Sequence, residues 1–258
     1  MKRRVCIAAA VNEELAGIKG SMKIENRLSL DGSQAWQGSW AGCDLVLLRT
    51  GVGKLQARRA FQALLENCDP SLFISIGYAG GAQTDLRPGD LFLAQSAQAL
   101  CEGQELNFVQ AQSVEGLKLS GDFRAAAEKA AQMCKVSTHR GDLLSVEQIV
   151  YNPDSKQALG RLYDVSALDM ETFYLASLCR ERSLPFFSLR AISDAADEEL
   201  LNVSPILSED GKVSYLKAGW FVLKTPGVMK DLMQLRQRAL GATENMTVFL
   251  RHFLQYID

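Results

Sequence analysis

Residues 44–77, DLVLLRTGVGKLQARRAFQALLENCDPSLFISIG, decide the fold class. Asp44 to Arg49 is a short apolar run without polar alternation, as expected of a strand buried on both faces. Thr50-Gly51-Val52-Gly53 turns the chain. Lys54 to Asn67 then brings Leu55, Ala57, Phe61, Leu64 and Leu65 round at roughly helical spacing, with Arg58, Arg59 and Glu66 on the other side. Asp69-Pro70 ends that helix, and Leu72 to Gly77 reads as a second buried strand. Strands of this kind separated by helices indicate a mostly parallel sheet covered on both faces.

The same alternation extends in both directions. Val5 to Ala10 is a strand-sized apolar run, and Leu91 to Ala94 follows the turn sequence Arg87-Pro88-Gly89-Asp90. An alanine-rich helix is expected over Asp122 to Cys134, with Asp122 as its N-cap. Leu143 to Tyr151 reads as extended, Pro153-Asp154 opens a helix to about Tyr163, and Val165 to Asp169 is a short strand feeding a helix from Glu171 to Arg182. Leu184-Pro185 breaks the chain before the strand Phe186 to Ser193. The expected fold is α/β: a single domain whose mixed, mostly parallel sheet is flanked by helices. Residues 199–258 read differently, as a C-terminal helical extension packed on the 1–198 core. Helices are expected at Val213 to Leu223 and Val228 to Leu240, separated by Thr225-Pro226-Gly227, and a third at Thr247 to Tyr256. Lys217, Lys224, Lys230, Arg236 and Arg238 make this part basic; a solvated face is the default reading, a lid, an oligomer contact or a peripheral membrane contact the alternatives.

Composition narrows the function. The 258 residues hold 47% hydrophobic and 22% charged side chains, the ordinary mix of a globular protein. With 28 basic against 30 acidic residues, the net charge of -2 argues against a dedicated nucleic-acid binder. The longest apolar runs fall far short of the ~20 residues of a spanning helix, so no integral membrane segment is expected. Six dispersed cysteines (Cys6, Cys43, Cys68, Cys101, Cys134, Cys179), no C-x-x-C pair and only two histidines point to reduced thiols in a cytoplasmic protein rather than a zinc site or disulfide scaffold. Met-Lys-Arg-Arg and an apolar run could open a signal peptide, but the run ends at Asn12-Glu13-Glu14 without a small-residue cleavage pattern, which favours a first strand.

Ligands of open α/β sheets bind at the carboxyl ends of strands. Five such places carry chemistry here: Glu13-Glu14, Thr50 to Gly53, Gly77-Tyr78-Ala79-Gly80-Gly81, Asp169-Met170-Glu171 and Ser193-Asp194. Gly53-Lys54 is not a Walker A loop, since Leu48 and Leu55 stand where Gly and Ser or Thr would be, and Gly77 to Gly81 lacks G-x-G-x-x-G spacing. Either loop could bring backbone N–H groups close to an anion or hydroxyl, or could be a tight strand-to-helix turn. Asp194, at an apolar strand end, can hold a proton at neutral pH, or can be a helix N-cap before Ala195-Ala196. Glu171 reads as a ligand or as a cap at a helix start, and Glu14 as a base or as a surface acid. With Arg190 nearby in sequence, the three acids together suggest cleavage of a bond that develops positive charge.

Five segments carry a resemblance: Ala10-Val11-Asn12-Glu13-Glu14; Thr50-Gly51-Val52-Gly53-Lys54; Gly77 to Gly81 followed by Leu86-Arg87-Pro88-Gly89-Asp90; Asp169-Met170-Glu171; and Arg190-Ala191-Ile192-Ser193-Asp194. In this order they resemble the purine nucleoside phosphorylase and nucleosidase superfamily, most closely the methylthioadenosine/S-adenosylhomocysteine nucleosidases, from residue 4 to about 198. The resemblance implies cleavage of an N-glycosidic bond. Asp194 would help protonate the purine, with Ser193 orienting it. An anionic Glu171 would bind ribose hydroxyls, with Met170 packed on the sugar. Glu14 would activate a water, with Arg190 near the nucleophile, and Ile149 and Val150 would wall the base. This is leaving-group acid catalysis plus stabilisation of an oxocarbenium-like sugar. It implies no metal or organic cofactor, a small-molecule purine nucleoside as partner and a homo-oligomer.

Three departures bear on the nucleophile. Tyr78 replaces the Ser of G-S-A-G-G and would crowd that pocket; Asp169 replaces the first Glu of V-E-M-E; and the chain beyond Leu200 is longer, similar to that of hopanoid-associated phosphorylases, which handle an adenosyl-lipid. Hydrolysis with Glu14 as base therefore competes with phosphorolysis, phosphate being a co-substrate held by Gly51, Gly53 and Arg190, and with a non-catalytic nucleoside-binding role in which Tyr78 blocks the pocket. Asp194→Asn is expected to abolish base release while leaving melting nearly intact.

Overall fold

The computed structural model describes residues 3–30, 32–100, 114–118, 123–200 and 228–257. Cys101, the expected cap Asp122, the expected helix Val213 to Leu223 with Lys217 and Lys224, and the turn Thr225-Pro226-Gly227 lie outside the described residues. The strands are β1 (Arg4–Ala9), β2 (Lys23–Leu30), β3 (Ser33–Trp40), β4 (Cys43–Arg49), β5 (Leu72–Gly81), β6 (Leu91–Leu100), β7 (Val114–Lys118), β8 (Thr138–Ser145), β9 (Ala167–Asp169) and β10 (Phe186–Asp194). The helices are α1 (Asn12–Ser21), α2 (Lys54–Asn67), α3 (Arg124–Cys134), α4 (Pro153–Tyr163), α5 (Thr172–Glu181) and α6 (Val228–Tyr256).

All ten strands join one sheet. β5 is its pivot: it pairs in parallel with β1 through Leu72–Ser75 and with β10 along Phe73–Gly80, and antiparallel with β9 at Gly80 and Gly81. Because β10 continues to β6, β6 to β8 and β8 to β9, the strands β5, β10, β6, β8 and β9 close into a ring, from which β1, β4, β3 and β2 fan out. Parallel pairing holds at the centre (β1–β4, β1–β5, β5–β10, β6–β8, β8–β9), while β2–β3, β3–β4, β5–β9, β6–β7 and β6–β10 are antiparallel, so the sheet is more evenly mixed than expected.

Alternate residues of the central strands feed two cores. Val5, Ile7 and Ala9 with Leu72, Ile74 and Ile76 face one side, under Leu15 and Ile18 of α1, Ala126 and Ala130 of α3, and Met246, Phe249 and Phe253 of α6. Cys6, Ala8 and Phe73 face the other, against Ala57, Phe61 and Leu64 of α2 and Phe173, Ala176 and Cys179 of α5. Burial on both faces explains why these strands lack polar alternation. On α6, the Phe253 ring stacks on Phe187 of β10 at 4.3 Å between centroids.

Two further expectations change. Gly77 to Gly81 is no loop but the second half of β5, because β10 and β9 supply hydrogen-bond partners past Gly77. The two helices expected over Val228 to Leu240 and Thr247 to Tyr256 are one 29-residue helix, α6. Gly241 does not break it: Ala242, Thr243, Met246 and Thr247 are buried, and that packing outweighs a glycine cost of roughly 1 kcal/mol in a helix. Where α6 crosses α1, a side chain at Gly17 would fall 2.2 Å from Thr247 Oγ1, so glycine permits the close approach.

Candidate active site

The strand ends named above converge on one cavity of about 280 Å³. Its wall includes Glu14, Tyr78, Ile149, Val150, Met170, Glu171, Ser193 and Asp194, together with Asp169 and Lys156. Arg190, Gly51 and Gly53 do not line it.

Glu14 lies in the first turn of α1, directly after β1, and is buried. Its Oε2 accepts from the Val11 amide at 3.0 Å and its Oε1 from the Tyr78 amide at 3.1 Å. Burial raises its pKa above the ordinary value, against the pull of those amides and of Arg190. Gly77 makes room for it: a Cβ there would stand 2.9 Å from Oε1. Gly80 does the same for the second acid, since its Cβ would stand 3.1 Å from Asp194 Oδ2. Gly77 and Gly80 of β5 thus admit the two carboxylates.

Glu171 is the N-cap residue of α5, but its carboxylate turns away from the helix and accepts the Gly53 amide at 2.7 Å. Burial, then the neighbouring Asp169 carboxylate, push its pKa up to about 8. That shift favours the protonated form of Glu171 at neutral pH over the anionic form expected from sequence. A carboxylic acid offers one donor and one acceptor, a match for the vicinal hydroxyls of a pentose.

Asp169 and Arg190 form a buried pair, with Arg190 Nε donating at 3.0 Å and Nη2 2.9 Å away from Oδ2. Arg190 also donates to Leu189 O at 3.0 Å, Ser75 Oγ at 2.8 Å and Thr172 Oγ1 at 2.7 Å. Ser145 Oγ donates to Asp169 Oδ1 at 2.6 Å. Arg190 does not line the cavity; it stands behind the wall on these protein partners, close enough to lower the pKa of Glu14 and Glu171 by its charge. The expected phosphate cradle changes too, since the Gly51 amide donates to Ala10 O at 3.0 Å and the Gly53 amide to Glu171.

Asp194 ends β10, so it is not a helix N-cap. Its Oδ2 accepts from Lys156 Nζ at 2.7 Å, and its Oδ1 bonds the Ser193 hydroxyl. Burial pushes its carboxyl above the ordinary value, while Lys156 and Ser193 pull it back. Tyr78 lines the cavity, yet its phenol is anchored outward on α6: Oη lies 2.8 Å from Thr243 Oγ1 and donates to Ala239 O at 3.2 Å. The residue thus still lines the cavity while its hydroxyl is held by α6, and burial pushes the phenol's pKa up to about 12. Lys156 was not among the sequence candidates. Its one signal was a lysine sharing the buried stripe of α4 with Leu159 and Gly160. Among the described residues, no group of three His, Cys, Asp or Glu side chains could hold a metal ion.

The sequence matches the family model described as the Phosphorylase superfamily over residues 4–212. Among solved structures, the chain is similar to a 5'-methylthioadenosine/S-adenosylhomocysteine nucleosidase from Neisseria meningitidis in complex with methylthio-immucillin-A (TM-score 0.76, 20% identity, covering 99% of this chain and 100% of that one). It is similar to the Campylobacter jejuni nucleosidase of the same name (TM-score 0.76, 17% identity, 99% and 100% coverage). It also matches futalosine hydrolase of Helicobacter pylori strain 26695 (TM-score 0.72, 20% identity, 97% and 98% coverage). At these identities the likeness is one of fold.

Proposed function

The chain belongs to the phosphorylase superfamily, and from that premise we propose that it hydrolyses the N-glycosidic bond of a purine nucleoside of the adenosine type. The observation that carries this reading is the convergence of Glu14, Glu171 and Asp194 on one cavity with an apolar wall at Ile149, Val150 and Met170. In the proposed reaction the base sits against Ile149 and Val150, and Asp194 hands a proton to its ring nitrogen as the bond to the sugar breaks. Glu171 engages the sugar hydroxyls with Met170 packed beside them. Glu14 takes the proton of a water that adds to the anomeric carbon. Each role is ordinary acid–base work by a carboxyl held in a low-dielectric site.

Water is favoured over phosphate by the commitments already described. The amides of Gly51 and Gly53 and the guanidinium of Arg190 all have protein partners, and none lines the cavity. A non-catalytic binding role is disfavoured because the Tyr78 phenol bonds to α6. The homo-oligomer implied by the resemblance belongs to the same reading. Purified protein incubated with adenosine, methylthioadenosine and inosine, with and without phosphate, tests it. Free base plus free sugar without phosphate is the expected result. Sugar 1-phosphate that forms only with phosphate would overturn hydrolysis, and absence of base release under both conditions would overturn the reading entirely.

A further inference from the structure

Lys156 is a cationic side chain in the cavity wall that the proposed reaction leaves without a task. It is 1% exposed and lies on the buried stripe of α4 with Leu159 and Gly160. Its ammonium donates to Asp194 Oδ2 at 2.7 Å, to Ala195 O at 2.7 Å and to Glu198 O. Three N–H groups meet three acceptors, so the cation is fully satisfied by protein and has no donor left for a ligand. Whatever it contributes to chemistry passes through Asp194.

We propose that Lys156 is the positioning residue that lets Asp194 release its proton to the leaving base, by holding Oδ2 and compensating the carboxylate left behind. The inference rests on the hydrolytic reading above. With Oδ2 engaged by the ammonium, the transferable proton belongs on Oδ1, the oxygen beside the Ser193 hydroxyl. Ser193 Oγ also reaches Ala79 O at 3.2 Å. Its single proton can point to that carbonyl while Oδ1 is protonated, and swing to Oδ1 once the proton has left. The step balances. The Oδ1 proton goes to the ring nitrogen, and the glycosidic electron pair goes to the base, which departs neutral. Water adds hydroxide to the anomeric carbon and leaves its other proton on Glu14; solvent exchange then resets both acids. A desolvated carboxyl alone is a poor donor to a weakly basic ring nitrogen, and an adjacent cation makes it a stronger acid. The other charges facing Asp194 are Glu198, itself paired with Arg238 of α6, and the carboxyls of Glu14, Asp169 and Glu171 on the same cavity.

A cation that only ties the 195–198 turn to α4 would serve every substrate equally, and this separates the two roles. The test compares an adenosine-type nucleoside, whose base needs a proton, with 4-nitrophenyl riboside, whose nitrophenolate leaves without one. Lys156→Met is expected to lower kcat for the nucleoside at pH 7 by about 10²-fold, the scale of general acid catalysis. It should move the alkaline limb of that profile upward by about 1 to 3 pH units and leave the nitrophenyl substrate within about twofold. Equal losses on both substrates, or an unmoved limb, would overturn the proposal while the hydrolytic reading stands. A wild-type protein that cleaves no nucleoside sinks both. Lys156→Gln keeps amide donors for the Ala195 and Glu198 carbonyls without the charge. It must show the same substrate-selective loss, and it serves if the methionine variant does not fold.

Discussion

Replacing Glu171 by glutamine removes a titrating group whose folded and unfolded states differ strongly, and the stability consequence can be worked out. The carboxyl moves from an ordinary pKa of 4.5 to about 8 in the folded chain. Between those values the native state holds a proton that the unfolded chain has released, so wild-type stability falls as pH rises from 4.5 and levels off above about 8. At about 1.4 kcal/mol per pH unit, the full interval amounts to roughly 4 to 5 kcal/mol. Water entering the cavity screens the group, and about 2 kcal/mol is the smallest effect consistent with the argument. The glutamine amide would be neutral throughout and escape this loss. Burial raises Glu14 and Asp194 in the same direction and both remain in the variant, so what differs between the two proteins is the Glu171 titration and its repulsion with Glu14 and Asp169. Denaturant unfolding of both proteins at pH 5, 6, 7, 8 and 9 should show Glu171→Gln gaining on wild type by at least about 2 kcal/mol between pH 5 and pH 8. A stability difference flat within about 0.5 kcal/mol would refute a protonated Glu171.

Two further substitutions probe the other acids. Asp194→Asn should abolish base release, as expected from the sequence, but the structure revises the expected melting behaviour. At alkaline pH, where Asp194 has released the proton it donates, Lys156 would lose its charged partner while 1% exposed, a cost of about 3 kcal/mol that lowers Tm by roughly 6–12 °C. An active variant, or unchanged melting, would contradict that account. Gly77→Ala would put a methyl group 2.9 Å from Glu14 Oε1 and force the carboxylate to move. A loss of about 10- to 100-fold in kcat is expected with adenosine or methylthioadenosine as substrate, and kcat within twofold of wild type would show that Glu14 is not held where the mechanism needs it.

How much of this was legible in the sequence depends on whether a segment's partners leave a mark on it. The strands β1, β4, β5 and β10 were readable because both faces are buried and the apolar runs are continuous. The β2–β3 hairpin was missed because β2 is largely exposed, although Asp31-Gly32 between two strand-length segments was an available turn signal. Helix α1 was missed because only Glu14, Leu15 and Ile18 are buried along it, too short a stripe to announce a helix. The carboxylates were legible as candidates through their strand-end positions. Their counter-ions were not, because Lys156 stands 38 residues from Asp194 in the chain and only the packing of α4 brings it there.

Those counter-ions divide the labour among four acids that elementary composition treats alike. Arg190 is bonded to Asp169 and Lys156 to Asp194, each inside the protein. Glu14 and Glu171 have, among the described residues, backbone amides rather than cations as their hydrogen-bond partners. Burial displaces Glu14, Glu171 and Asp194 upward. At Asp194 the Lys156 cation pulls the carboxyl back, at Glu14 and Glu171 backbone amides and the more distant Arg190 do so, and the Asp169 carboxylate adds to the rise of Glu171. In the proposed reaction, two amide-held acids serve the sugar end and one cation-paired acid the base end, the asymmetry a glycosidic cleavage requires. The base end must surrender a proton and then bear a negative charge. The sugar end must supply a donor for the hydroxyls, and beside it a base whose raised pKa makes it better able to take a proton from water.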